Sequence, residues 1–179
     1  NGRGPTLDES LRLRDGIPVE WTVDGTTAFG GSARERMAWK SRRLTWESQA
    51  DKGSLPAPQP MLYVSNNGSP WSIGVYARAL LAAPGHALDV APSGRMQLED
   101  LGTRRIGDVD VTIHALTGIE LTPQLVLLDG ERRLFASLGE GASVLVRAGY
   151  EKSFRDLLSL ARELQFTQLR RRQEALAHR

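Results

Sequence analysis

Thr6-Leu7-Asp8-Glu9-Ser10-Leu11-Arg12-Leu13-Arg14-Asp15-Gly16-Ile17-Pro18-Val19-Glu20-Trp21-Thr22-Val23 consists of two alternating runs around a turn dipeptide. In the first run Leu7, Leu11 and Leu13 share one side, with Asp8, Ser10 and Arg12 on the other. A period of two is that of a strand with one face covered. In the second run Ile17, Val19, Trp21 and Val23 alternate with Glu20 and Thr22. Asp15-Gly16 tolerates positive φ at both central positions of a tight turn, so the segment is predicted as a β-hairpin. Glu9 is the misfit: it lies on the otherwise apolar side of the first strand.

The same pattern continues outward. Thr26 to Gly31 reads as strand or bulge with a turn at Gly30-Gly31, and Ala33 to Lys40 and Arg42 to Ser48 read as two short strands, charged on one face. Asp51 to Pro60 contains Gly53, Pro56, Pro58 and Pro60, which is loop composition. Met61 to Val64 is a short apolar strand. Asn66-Asn67-Gly68-Ser69-Pro70 reads as a turn opening a helix, with Ser69 as N-cap, Pro70 in the first helical position and the helix running to about Ala83. Ile73, Tyr76, Ala77 and Leu80 would be its packed face, and Pro84-Gly85 its stop. Alternation returns at Arg95 to Ile106 and at Val109 to Ala115, where Asp110, Thr112 and His114 make the polar face, with a turn at Gly107-Asp108. Leu121 to Leu128 and Arg132 to Ala136 flank another hairpin signal, Asp129-Gly130. From Tyr150 the period becomes helical: Phe154, Leu157, Leu158, Ala161, Leu164 and Leu169 form a stripe, and Ser153 with Asp156 an approximate capping box.

The chain has 179 residues, 40% of them hydrophobic, enough for one domain with its own core. No apolar run approaches a membrane span. The absence of Cys excludes a disulfide framework, thiolate metal sites and thiol catalysis. The net charge is +2, and only Lys40, Lys52 and Lys152 accompany the many Arg. The pI of 9.3 invites a nucleic-acid reading, but Arg alternates with acids along the strands and no basic stripe with interleaved aromatics appears. Arg170-Arg171-Arg172 is the one cluster, on helical turns with little to bury. Chemistry-bearing patterns are equally thin. His86, His114 and His178 are far apart and make no His-x-His or His-Glu-x-x-His, and they read as solvent-facing or satisfied imidazoles. Gly-x-Ser-x-Gly is absent, and Ser65, Ser69 and Ser72 read as turn and cap residues. Asp8-Glu9 and Glu99-Asp100 are neighbours on strands, so each pair splits between two faces. Asn1-Gly2-Arg3-Gly4 and Gly139-Glu140-Gly141 are Gly-rich but match no phosphate-binding turn. Glu9 alone hints at a buried, raised-pKa carboxyl, and a structural partner such as an Arg is the favoured reading. No catalytic, cofactor-binding or metal residue is assigned.

In order along the chain stand Asn1-Gly2-Arg3-Gly4-Pro5 with Leu7-Asp8-Glu9, Asp15-Gly16-Ile17-Pro18, Val23-Asp24-Gly25-Thr26-Thr27, Trp39-Lys40-Ser41, Tyr76-Ala77-Arg78-Ala79-Leu80-Leu81, Leu116-Thr117-Gly118-Ile119-Glu120-Leu121-Thr122-Pro123, Leu128-Asp129-Gly130 and Leu134-Phe135-Ala136. This order resembles the β-rich N-terminal region that precedes the catalytic barrel in bacterial amidohydrolase-superfamily proteins of the imidazolonepropionase-like group, which are metal-dependent hydrolases. The resemblance implies that the chain is a piece of a longer polypeptide whose barrel, with its own His-x-His metal ligands, follows His178-Arg179. It transfers no catalytic residue and no metal to this chain. It implies a periplasmic or secreted setting, although a Cys-free composition suits the cytoplasm equally.

The expectation is therefore α+β: a curved, mainly antiparallel sheet of about seven to ten strands, carrying one short helix and a long C-terminal helix. Residues 1–168 would be a single β-rich domain, truncated at its N-terminus, and 169–179 a helix end or linker. The expected role is a non-catalytic accessory domain, with the barrel of the same polypeptide as partner, a homo-oligomer as a further option, and neither nucleic acid nor a transmembrane segment involved. The alternative is a periplasmic binding module in which Trp21, Trp39, Trp46 and Trp71 line an enclosed apolar cavity. A stand-alone hydrolase would need a convergent polar pocket around Glu9 or His114.

Overall fold

A computed structural model describes residues 4–139 and 143–177, with side chains through 167 and at Arg170. The fold is α+β, with curved antiparallel and mixed sheets, one short helix and a long C-terminal helix. The chain divides into two compact units, Asn1–Gln97 and Leu98–Arg179.

In the first unit β1 (Thr6–Arg14), β2 (Ile17–Thr26), β3 (Ser32–Lys40), β4 (Arg43–Ser48) and β5 (Lys52–Pro56) form a five-stranded antiparallel sheet in chain order. Next-neighbour hairpins produce that order. Asp15 and Gly16 have φ of 51° and 81°, the doubly positive turn that their types favour. Ser41 and Arg42 adopt the same signs between β3 and β4. One face of the sheet is buried through Val19, Trp21, Val23, Ala33, Met37 and Leu44. The other carries exposed charge pairs, Arg12 with Glu20 and Arg36 with Asp24, which contribute little in water. β6 (Leu62–Tyr63) runs parallel to β7 (Ala87–Ala91), and β7 pairs antiparallel with the start of β8 (Arg95–Ile106). Between β6 and β7 lies α1 (Ser72–Ala82), which buries Ile73, Tyr76, Ala77 and Leu80, the face predicted.

In the second unit β8 continues from Leu98, followed by β9 (Val109–Thr117), β10 (Gln124–Asp129), β11 (Leu134–Leu138) and β12 (Val144–Val146), ordered β12-β11-β10-β9-β8. α2 (Phe154–Ala177) closes this core, with Leu157, Leu160 and Ala161 clustered with Ile113, Leu125, Leu127 and Phe135. Full burial of such a side chain stabilises by about 1.5–3 kcal/mol before entropy.

Several expectations are corrected. β5 occupies part of the expected 51–60 loop: it is a sheet-edge strand whose proline falls at its last residue, where no ladder bond is required. α1 begins at Ser72, two residues after Pro70, and no side chain caps it. Thr26 ends β2, so Thr27–Gly31 is entirely turn, closed by Gly30 N–H to the Thr27 carbonyl. β10 starts at Gln124 and not at Leu121, and β11 starts at Leu134, later than the alternation suggested, because Asp129 to Arg133 is one hydrogen-bonded tip. β7 and β12 were not predicted. On α2 the stripe holds at Leu157 and Ala161, which are buried, and at Leu164, which packs on the core, but Leu160 joins it and Phe154, 42% exposed, does not belong to it. His114 is not on a polar face: the second half of β9 is covered on both sides, and His114 is 4% exposed.

Candidate functional site

Two carboxylates enter the buried face of the five-stranded sheet. Glu9 shares its side of β1 with Leu7 and Leu11, and Glu35 shares its side of β3 with Ala33 and Met37. The register aligns Glu9 with Val23 and Val23 with Glu35. The two acids therefore stand in one cross-strand row, two strand spacings, or about 10 Å, apart. Glu35 is 1% exposed, and Glu9 is half-buried.

Both acids hold the same loop. The Glu35 carboxylate accepts from Tyr63 Oη at 2.6 Å, Ser65 Oγ at 2.9 Å, the Asn66 and Asn67 N–H groups at 3.1 and 2.8 Å, and Asn67 Nδ2 at 3.1 Å. A carboxylate offers about four lone-pair sites, and these five donors occupy its capacity. The Glu9 carboxylate accepts from Trp21 Nε1 at 2.8 Å and from the Ser69 N–H at 3.2 Å. Residues Ser65 to Ser69 are thus clamped onto the sheet immediately ahead of α1. Asn66 Nδ2 to Ser48 Oγ (3.2 Å) and Asn67 Nδ2 to Gln49 Oε1 (3.0 Å) tie the same loop to the end of β4.

An aromatic cluster fills the space around the clamp. The Trp21 ring lies 6.4 Å from Tyr63 and 6.0 Å from Tyr76, and Trp46 lies 6.3 Å from Tyr63. Tyr76 Oη donates to the Tyr63 carbonyl at 3.0 Å and accepts from the Ser65 N–H at 3.3 Å. Burial pushes both phenols above the ordinary tyrosine value, reinforced at Tyr63 by the hydrogen bond to Glu35. At neutral pH they are donors and not bases. Gly68 sits where a Cβ would meet Trp21 Cζ2 at 3.0 Å and Ser65 Cβ at 3.1 Å.

A second buried acid, Asp129, organises the β10–β11 tip in the other unit. Its carboxylate accepts from the Glu131 and Arg133 N–H groups at 3.0 and 2.9 Å, Arg133 Nε at 3.0 Å and Arg147 at 2.8 Å. Burial raises its pKa, but the Arg133 N–H, the Arg147 and Arg133 guanidinium groups and the Glu131 N–H outweigh it and bring the carboxyl to about 2. Arg147 also donates to the Leu134 carbonyl and covers the Phe135 ring at 5.6 Å.

The sequence-singled residues thus separate. Glu9 is tied to a loop N–H and an indole rather than to an Arg. Ser65 joins it in the clamp; Ser69 contributes its backbone, not a cap; Ser72 is buried in α1. His86 is exposed in the turn after α1. Asn1 to Arg3, Glu140, Gly141 and His178 lie outside the described residues. Glu99 and Asp100 are exposed on β8. Of the tryptophans, Trp21 is buried, Trp39 donates to the Ala57 carbonyl, Trp46 donates to Asp51, and Trp71 is 47% exposed. Glu35 was missed although its signal matched that of Glu9, an acid with apolar residues two positions away on either side. Among the described residues no group of three His, Asp or Glu could hold a metal ion, and no helix is long and apolar enough to cross a membrane. Open hollows of about 360 and 670 Å³ lie on the first unit, one over Thr22, Arg36 and Ala38 of the outer sheet face and one beside Thr6 and Phe29. Compared with known proteins, the chain matches no family model and no curated protein.

Proposed function

We propose that this chain is a non-catalytic accessory region of a metal-dependent amidohydrolase, built to present a rigid β surface to the rest of its polypeptide. The observation that carries this reading is the saturation of Glu35. The most buried carboxylate in the first unit accepts five donors from its own chain, and its neighbour Glu9 holds the same loop. Acid–base catalysis needs a carboxylate within reach of substrate, and these two face inward onto structure. The expected partner is the barrel of the same polypeptide. Phe29, fully exposed in the first unit, and Leu121, 96% exposed in the second, are apolar side chains that a neighbouring domain would cover. The enclosed-ligand alternative is less well supported, because Trp21 packs against Tyr63 and Tyr76 instead of lining a void.

Reading the coding sequence beyond residue 179 tests the proposal, with elemental analysis of the purified chain beside it. An in-frame barrel with a His-x-His motif is expected. Stoichiometric zinc in this chain, together with amide hydrolysis lost on chelation, would overturn it.

A further inference from the structure

Asn67-Gly68 is the one part of the clamp with covalent chemistry of its own. In an Asn-Gly pair the glycine N–H, once deprotonated, attacks the asparagine Cγ without hindrance from a following side chain. The Cγ–Nδ2 bond breaks and nitrogen leaves as ammonia, taking its proton from water. The resulting succinimide then adds water across either carbonyl to give aspartate or isoaspartate. The sum is amide plus water to carboxylate plus ammonium, with no redox change.

The fold requires both members of this pair. A side chain at position 68 would collide with Trp21 and Ser65. Asn67 supplies four hydrogen bonds: its N–H to Glu35 Oε2 at 2.8 Å and to Ser65 Oγ at 3.3 Å, and Nδ2 to Glu35 Oε2 at 3.1 Å and to Gln49 Oε1 at 3.0 Å. The two Nδ2 bonds hold the side-chain amide by the very nitrogen that must leave. We propose that Asn67 is a deamidation site whose reaction is held in check by Glu35 and Gln49, and whose product opens the clamp that checked it. The new carboxylate places a negative oxygen against Glu35 and an acceptor against the Gln49 acceptor, so both contacts change from attraction to repulsion. Release of Ser65 to Ser69 is then one-way, because water does not restore the amide.

Site-resolved peptide mass mapping of protein aged in mildly alkaline buffer tests this, with position 67 scored separately from the second pair, Asn1-Gly2. Folded protein is expected to convert at Asn67 at least about tenfold more slowly than urea-unfolded protein, as loop opening becomes a prerequisite. Gln49→Ala, at an exposed position, removes the Oε1 contact to Asn67 along with the Nε2 bond to the Ser32 carbonyl, and raises the folded-state rate at Asn67 at least about fivefold, the factor for one hydrogen bond of average net strength. Asn67→Asp lowers the denaturation midpoint and speeds amide exchange across residues 65–69, whereas Asn66→Asp, altering a side chain bonded to Ser48, does so less. Equal rates in folded and unfolded protein, an unchanged rate in Gln49→Ala, or an Asn67→Asp protein as stable as its parent would each overturn the proposal.

Discussion

Glu35 carries the heaviest local load of any side chain in the first unit, since one carboxylate answers Tyr63 of β6 and four donors from a loop that has no regular structure of its own. Glu35→Ala leaves those donors facing an apolar slot and should cost about 3 kcal/mol in denaturant unfolding. Asp129 acts through charge. Its carboxyl lies near 2 in place of 3.8, so it stabilises the folded chain by about 2 kcal/mol. The sign follows from the depressed value: the contribution is whole above 3.8, shrinks as pH falls through it and is gone below about 2. Asp129→Asn should therefore be less stable than the parent at neutral pH, with the difference vanishing in acid titrations of the unfolding midpoint. At this scale the sequence was half legible. Glu9 stood out because three leucines framed it; Glu35 was framed only by Ala33 and Met37, and the charges of Arg34 and Arg36 hid the alternation. No local pattern announces that two acids 26 positions apart will serve one loop, because the strand register decides it.

Among elements, the edge strand β5 is the clearest case of tertiary context overriding composition. Its glycine and proline suggested a loop, yet Gly53 pairs with Trp46 and the indole lies over the glycine, on the place where a Cβ would be. Gly53→Ala displaces that ring and should cost about 1–3 kcal/mol, with a change in Trp46 fluorescence. The hairpin β1–β2 was legible because its turn residues and its alternation pointed to the same structure. β7 and β12 were not, because strands of five and three residues offer too few alternations to read. α2 was legible as a helix with Leu157 and Ala161 on its buried line, while Leu160 was left out of that line and Phe154 wrongly included. Leu160→Ala should cost about 2–4 kcal/mol, while Phe166→Ala, at a side chain 62% exposed, should stay within about 0.5 kcal/mol of the parent; thermal unfolding of the two variants separates them.

At the scale of the whole molecule the two compact units have different optical content. Trp21, Trp39, Trp46 and Trp71 all precede Gln97, so indole fluorescence reports the first unit, whereas far-ultraviolet circular dichroism sums over both. Asp129→Asn alters only the second, and its unfolding followed by circular dichroism should move to lower denaturant more than that followed by fluorescence. Equal displacements would mean that the chain unfolds as one cooperative block. The α+β class was legible at this scale from alternation followed by a helical period, but the grouping of strands into two sheets was not, since alternation records which face is covered and not which neighbour covers it. The clamp also bears on the order of assembly. The hairpins of the five-stranded sheet join strands adjacent in sequence, but Glu35 meets its partners 28–32 residues away and Glu9 meets Ser69 across 60. Loop-closure entropy places such distant contacts after local ones. The sheet thus stands first, with Glu35 unpaired on its inner face and Glu9 held by Trp21 alone. Docking of the Ser65–Ser69 segment is the late event that fixes the direction from which the following helix arrives.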